Sequence, residues 1–263
     1  MSENRLRLER RGAIAILTLD RPDAGNAIDI AMADAILAAA LECDTDDAIH
    51  CVLLTGAGRM FCTGGDVKAF GEAGPAVPAL VSRLTASLHK AVVLLLHMRK
   101  RLITTINGTA ADAGVGLAVM GDAAFAGRSA QFTLGYGALG LSPDAGATWM
   151  LPRLVGMRHA QRLTLLGERI GAEEAERIGL VTRMIEDADL LPEALALAER
   201  LSRSAVRAGW RTRELLLTSL DTGLETHLDR EAQGIAAASG EAEAREGIAA
   251  FIEKRKPHFG ARR

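Results

Sequence analysis

Two glycine-bearing segments, each following an apolar run, hold the residues best placed to do chemistry. The first is Phe61-Cys62-Thr63-Gly64-Gly65-Asp66, after Cys51-Val52-Leu53-Leu54-Thr55. The second is Asn107-Gly108-Thr109-Ala110-Ala111-Asp112-Ala113-Gly114, after Leu102-Ile103-Thr104-Thr105-Ile106. Each reads as the end of a strand where bare main-chain N–H groups turn outward. Two such groups converging on one point would stabilise a developing oxyanion. That is chemistry on a carbonyl rather than on a phosphate.

The elements that must carry these segments follow from periodicity. Residues 5–10 and 13–19 read as a hairpin around Arg11-Gly12, with alternation at Ile14, Ile16 and Leu19. Asp29 to Cys43 is alanine-rich and predicted helical, with Asp29 as its cap. Residues 51–55 form a short buried strand; 71–78, with two glycines and two prolines, form a loop; 79–98 form a long helix. A strand over 102–106 leads into a helix near 114–121, and strand-like pieces surround Ala123 to Phe125 and Phe132. From Ala147 helices dominate, interrupted by a strand over 180–185, and Pro192 fits the first turn of a helix reaching about Arg203. Strands alternating with helices predict an α/β fold, with a core over 1–200 and a helical region over 201–263.

Composition narrows the function classes. The 263 residues suit one large α/β domain. A net charge of -2 gives no basic footprint for nucleic acid, although Arg255-Lys256 and Arg262-Arg263 could meet an anionic ligand. Three cysteines without C-x-x-C spacing fit a reduced, cytoplasmic setting. The N-terminus is charged at once (Glu3, Arg5, Arg7), so no leader is expected. No run of roughly 18 apolar residues is found, so no membrane span is expected. The six histidines lack metal-ligand spacing and read by default as surface or satisfied core residues, so no metal is expected. Ser129 and Ser142 lack the Gly-x-Ser-x-Gly context of a serine hydrolase. Gly114-x-Gly116 is followed by Val119 where a dinucleotide-binding loop needs glycine.

Taken in order, several motifs make the chain resemble the crotonase (enoyl-CoA hydratase/isomerase) superfamily. They are Asp20-Arg21-Pro22 with Asn26-Ala27, Leu53-Leu54-Thr55-Gly56-Ala57-Gly58, the two glycine segments, Gly140-Leu141-Ser142-Pro143-Asp144-Ala145-Gly146, Leu151-Pro152-Arg153-Leu154-Val155-Gly156, and residues 246–255. The resemblance implies a spiral of ββα turns with a C-terminal helical trimerisation region, assembled as a homotrimer or dimer of trimers. It implies an acyl-CoA thioester substrate and no separate cofactor. It places the oxyanion donors on the N–H groups of Gly65 and Ala113, each such donor contributing about 3–4 kcal/mol. Backbone carbonyls around Cys62, Thr63 and Gly64 would meet the adenine. Arg21, Lys68 and Lys254 are candidates for the phosphates, the last acting across a subunit boundary.

The resemblance also bears on the reaction. Hydratases of this family use two glutamates, whose positions here hold Gly116 and Tyr136. A carboxylate stands instead at Asp144, where the 1,2-epoxyphenylacetyl-CoA isomerase subgroup carries aspartate; Thr148-Trp149 and Leu151-Pro152-Arg153 also resemble that subgroup. One carboxylate suffices for a 1,3-proton shift, provided an apolar pocket raises its basicity. Asp144 also reads as the N-cap of a helix over 145–151, and the two roles are compatible. Asp66 reads as the cap of a short helix starting at Val67. Asp112 has two readings, a cap for the next helix or a second acid/base group, and the cap is preferred. Tyr136 reads first as a pocket wall. The favoured function is an acyl-CoA isomerase. The alternatives are an atypical hydratase using Asp112, a thioester hydrolase, and a non-catalytic acyl-CoA binder.

Overall fold

A computed structural model of the chain describes residues 5–259; residues 1–4 and 260–263, among them Glu3, Arg262 and Arg263, lie outside the described residues. The hairpin forms as predicted: β1 (Leu6–Arg11) pairs antiparallel with β2 (Ile14–Leu19). Helix α1 (Ile30–Thr45) begins after Asp29, whose carboxylate accepts the Met32 N–H at 2.7 Å. Strands β3 (Cys51–Gly56) and β4 (Met60–Cys62) follow. The predicted loop over 71–78 is instead largely helical. Helix α2 (Val67–Ala73) runs through a 3-10 turn at Gly74–Ala76 into α3 (Val77–His97). α2 ends at Gly74, which has φ 51°, and Pro75 and Pro78 then fall within first turns, where the missing N–H has no partner to lose.

The second pass comprises β5 (Arg101–Ile106), β6 (Thr109–Ala111) and α4 (Ala113–Val119). The third comprises β7 (Ala123–Gly127), β8 (Gln131–Thr133), a 3-10 turn at Tyr136–Leu139, and α5 (Ala147–Thr164), which is broken at Gly156. Then come β9 (Ile170–Gly171), α6 (Ala172–Arg177) and β10 (Arg183–Ile185). The strand expected over 180–185 keeps only its last three residues. Helices α7 (Leu190–Ser202), α8 (Val206–Thr218), α9 (Leu224–Ser239) and α10 (Ala242–Ile252) complete the described chain.

These passes form a spiral in which each contributes a longer strand to one sheet and a short strand to another. The six-stranded sheet has the order β1-β2-β3-β5-β7-β10, parallel from β2 onward. The four-stranded sheet has the order β4-β6-β8-β9. β2 is buried on both faces, not on one as alternation suggested. Ala15, Leu17 and Leu19 join the main core, while Ile14 and Ile16 join Leu53, Ile103 and Phe125 under Leu190, Ala194 and Ala198 of α7. A parallel sheet covered by helices on both faces has no solvent side to alternate with.

α3 lays Leu84, Leu88, Ala91, Val92 and Leu95 into the core, packed on α1. By length and composition alone the stretch 67–97 could cross a membrane, with a mean hydropathy of 1.5 in its most apolar window, 28% of which is buried. The sequence expectation counted unbroken apolar runs and so passed over this helix. Its buried stripe is that of a helix packed within a globular core.

Asn26 ties the segment before α1 to the β3–β4 connection. It is fully buried with φ 55°, and its Nδ2 donates to the carbonyls of Ala57, Met60 and Phe61 at 2.9, 2.8 and 3.1 Å. Its Oδ1 accepts the Arg21 N–H at 2.9 Å. Asn26→Ala orphans these groups and puts alanine in the left-handed region, where asparagine is better tolerated. We expect a loss of about 2–4 kcal/mol in urea unfolding; an unchanged urea midpoint would refute the assignment.

Candidate active site

Parallel pairing of β4 with β6 (Met60 opposite Thr109, Cys62 opposite Ala110) makes the two glycine segments leave the small sheet side by side. The approach is close. A Cβ on Gly64 would lie 2.7 Å from Asp112 Cβ and 3.4 Å from the Ala113 nitrogen. A Cβ on Gly114 would lie 2.2 Å from the Cys62 carbonyl oxygen. All seven residues of α4 are buried. Among the described residues, neither the Gly65 nor the Ala113 N–H donates to a protein acceptor. Ala113 is the first residue of α4, where N–H groups have no partner within the helix.

Asp66 caps α2 as predicted, accepting the Ala69 N–H at 3.1 Å. It also accepts from Arg21 Nη1 at 2.6 Å. Burial alone would raise the Asp66 pKa, but the Arg21 and Ala69 bonds outweigh it and hold the carboxyl below its usual value. Arg21 further reaches the Ala27 carbonyl at 3.1 Å and Asp29 at 3.6 Å. It is therefore engaged in holding the loop together. An apolar cleft of about 270 Å³ opens beside this point, lined by Ile28, Asp66, Phe70, Leu80 and Leu84.

Of the three carbonyls expected to face a purine, that of Cys62 lies against Gly114, and that of Gly64 accepts the Ile28 N–H at 2.7 Å. The Thr63 N–H donates to Gly25 at 3.1 Å. The Cys62 thiol is buried, and burial pushes its pKa up to about 12. Lys68 is on the exposed face of α2, its side chain 87% exposed and 4.0 Å from Glu72. Lys254 lies exposed beyond α10, which packs on α9 and, through Glu243, on the start of α8.

Neither Asp112 nor Asp144 is the side-chain cap that the sequence suggested. Asp112 stands at the N-cap of α4 with φ 50°, but its side chain makes no capping bond. Its Oδ1 turns away and accepts the Gly135 N–H at 2.6 Å. Burial, reinforced by the charge of Asp144, raises the Asp112 pKa against the opposing pull of the Gly135 and Tyr136 N–H groups. The cap of α5 is Gly146, so the Asp144 side chain is likewise free of a capping role. It accepts a short hydrogen bond at Oδ1 from the Tyr136 hydroxyl. Burial, followed by the Asp144 charge, keeps the Tyr136 phenol strongly protonated. Tyr136 is a buried partner of the carboxylate as well as a wall.

Gly116 explains why no carboxylate replaces these at its own position. A Cβ there would lie 2.4 Å from the Ala145 carbonyl oxygen and 3.0 Å from Ala145 Cβ. The turn that presents Asp144 is packed directly on α4. Sequence reasoning missed one member of the cluster. His89, on α3, accepts the Ala145 N–H at Nε2 (3.2 Å) and lies 3.8 Å from Asp144 Oδ2. Nothing local marks it, because its partner is 56 residues away.

The raised pKa of Asp112 has a stability consequence. The native state holds that proton more tightly than the unfolded chain. Asp112 therefore favours folding below the ordinary carboxyl range near about 4, and this contribution is lost as pH rises through its raised value. Asp112→Asn keeps an acceptor for the Gly135 N–H without the charge. Its thermal midpoint should exceed the wild type's at about pH 7, with the difference closing near about pH 3. A lower midpoint at both values would show that the carboxylate is charged and stabilised.

Comparison with known proteins agrees with this architecture. The sequence profile of the family described as Enoyl-CoA hydratase/isomerase matches residues 9–262. The chain is 36% identical over 248 residues to 1,2-epoxyphenylacetyl-CoA isomerase of Escherichia coli (strain K12), covering 94% of each. It is 33% identical over 268 residues to 2,3-dehydroadipyl-CoA hydratase of the same organism, covering 100% of each. The crystal structure of an enoyl-CoA hydratase from Polaromonas sp. JS666 superposes with a TM-score of 0.91 at 31% identity, covering 96% of this chain and 98% of that one. Isomerase and hydratase names thus both occur among its relatives. The chain belongs to the enoyl-CoA hydratase/isomerase family of the crotonase superfamily.

Proposed function

We propose that the protein is an acyl-CoA isomerase, of the enoyl-CoA double-bond-shift or the epoxyphenylacetyl-CoA type, with a single carboxylate as its acid/base group. The observation that carries this reading is the packing of Ala145 on Gly116. It leaves no room for a hydratase glutamate at 116 and supports Asp144, the neighbour of Ala145, as the carboxylate. Tyr136 occupies the second glutamate position and holds Asp144 Oδ1, leaving Oδ2 as the proton-transfer oxygen. Asp144 Oδ2 takes the C2 proton of a 3-enoyl-CoA, and the electron pair passes to the thioester oxygen. The Gly65 and Ala113 N–H groups hold that oxygen as a dienolate. The protonated Asp144 then delivers the proton to C4, giving the 2-enoyl isomer. Every group in this sequence belongs to the protein or the substrate.

For the CoA moiety, the apolar cleft beside Gly65 and the Thr63 carbonyl support one binding region, with Lys68 and a neighbouring subunit's copy of Lys254 toward the phosphates. Arg21 acts through Asp66, by fixing the turn after Gly65. Assembly as a trimer or dimer of trimers is supported by exposed apolar side chains (Leu216, Leu220, Leu224, Ile235, Phe251 and Ile252) over the C-terminal helices. Light scattering should give three or six subunits; a monomer would remove this part of the reading.

One observation favours a second reading. The raised pKa of Asp112 gives the site a second carboxyl able to carry a proton, as an atypical hydration would require. Turnover of a 3-enoyl-CoA panel, followed by ultraviolet absorbance and mass spectrometry, separates the two. Isomerisation should fall about 10²–10⁴-fold in Asp144→Asn. Tyr136→Phe should lose about tenfold, the worth of one hydrogen bond to a charged group. A mass gain of one water that vanishes in Asp112→Asn would establish the hydratase. Retained acyl-CoA binding with no conversion by the wild type would move the case to a specialised substrate or a non-catalytic binder.

A further inference from the structure

We infer that His89 is a positioning residue for Asp144, holding the turn that aims the carboxylate. The inference rests on the proposed role of Asp144. The turn is strained: Ala145 is an L-residue at φ 50° and Gly146 follows at φ 77°. A non-glycine residue persists in the left-handed region only where its surroundings hold it there. Three contacts do so here. Tyr136 grips the Asp144 side chain, Gly116 lets the Ala145 carbonyl settle on α4, and His89 Nε2 accepts the Ala145 N–H at 3.2 Å. Tyr136 and Gly116 act on the side chain and on the carbonyl. Within the turn the Asp144 carbonyl accepts the Ala147 N–H at 3.0 Å; His89 is the side chain that holds the N–H of the same amide, which joins Asp144 to Ala145, so it bears on the direction in which the carboxylate leaves the chain. Ala145 is fully buried, and its N–H has no other acceptor among the described residues.

Nε2 accepts the Ala145 N–H through its lone pair, which leaves the ring hydrogen on Nδ1. The same nitrogen lies 3.8 Å from Asp144 Oδ2, beyond hydrogen-bond range. His89 therefore stands beside the proton-transfer oxygen without taking it. Its bond goes to the backbone instead, and Oδ2 stays available to the substrate. The His89 side chain is 49% exposed, so replacing it removes little packing.

The experiment is steady-state isomerisation of a 3-enoyl-CoA by the wild type, His89→Leu, His89→Gln and Asp144→Asn, with a thermal midpoint for each. Glutamine can set an amide oxygen near the place of Nε2 and accept the same N–H. His89→Leu should lose about ten- to a hundredfold in kcat at unchanged KM, as expected for a misaimed group, with a lowered midpoint from the orphaned Ala145 N–H. His89→Gln should recover to within a few-fold of wild type. The double variant Asp144→Asn/His89→Leu should be no slower than Asp144→Asn, because His89 acts only through Asp144. Wild-type kcat in His89→Leu, or a glutamine variant as slow as the leucine one, would overturn the inference. So would a joint fall in kcat and substrate affinity. Full turnover by Asp144→Asn would overturn the reading of Asp144 and this inference with it. Loss in Asp144→Asn with none in His89→Leu would overturn this inference alone.

Discussion

The site depends on α4 lying in backbone contact with the chain on both sides. On one side the Cys62 carbonyl reaches Gly114; on the other the Ala145 carbonyl reaches Gly116. Any side chain at either glycine would push its neighbour away, so the helix can be gripped only because both positions are bare. The grip sets the geometry of everything nearby. The first N–H of α4 lies against the Gly64 turn, and the third turn of the spiral is drawn in until Asp144 sits beside the same helix. Close packing of this kind has few alternative arrangements, and that suits it to holding reacting groups in register.

Hydrogen bonds carry that register across the site. Asp112, next to the Ala113 N–H, accepts from Gly135; Tyr136 follows Gly135 and donates to Asp144; Ala145 follows Asp144 and donates to His89. The first and last links join the backbone of the third pass to a side chain of an earlier one, and the middle link joins two side chains of the third pass. The arrangement also moderates charge. A developing enolate would be opposed by two ionised carboxylates nearby. Burial raises the Asp112 pKa, and Asp144 accepts from a phenol that does not ionise. Both work against the charge that the acidic residues would set beside the proposed oxyanion donors.

Local signals in the sequence were reliable where the partner was local. The hairpin, the Asp29 cap, the β3 and β5 strands and the Asp66 cap all involve partners within a few residues or a regular period. β4 and β6 have three residues each, too few to show a period, although they explain why the glycine segments meet. The three aspartates make the contrast plain. Each precedes a helix, and only Asp66 caps one. Asp112 finds a donor 23 residues along the chain, and Asp144 finds the buried Tyr136 hydroxyl. Those choices are made by the spiral, which a linear reading cannot weigh. The pairing of glycine segments was legible from family resemblance. The ion pairs of Arg21 and the place of His89 were not.

The contact between Gly116 and Ala145 has a further meaning for how such a site can change over generations. A glutamate cannot enter at 116 until the Ala145 turn retreats, and a retreat of that turn carries Asp144 out of place. Sequences lying between the present arrangement and a two-glutamate one would hold neither set of groups in position. Single substitutions therefore lead downhill in fitness before they lead anywhere else, so the order of change matters more than its amount. A bare α-carbon, conventionally read as tolerance, acts here as a lock on the lineage.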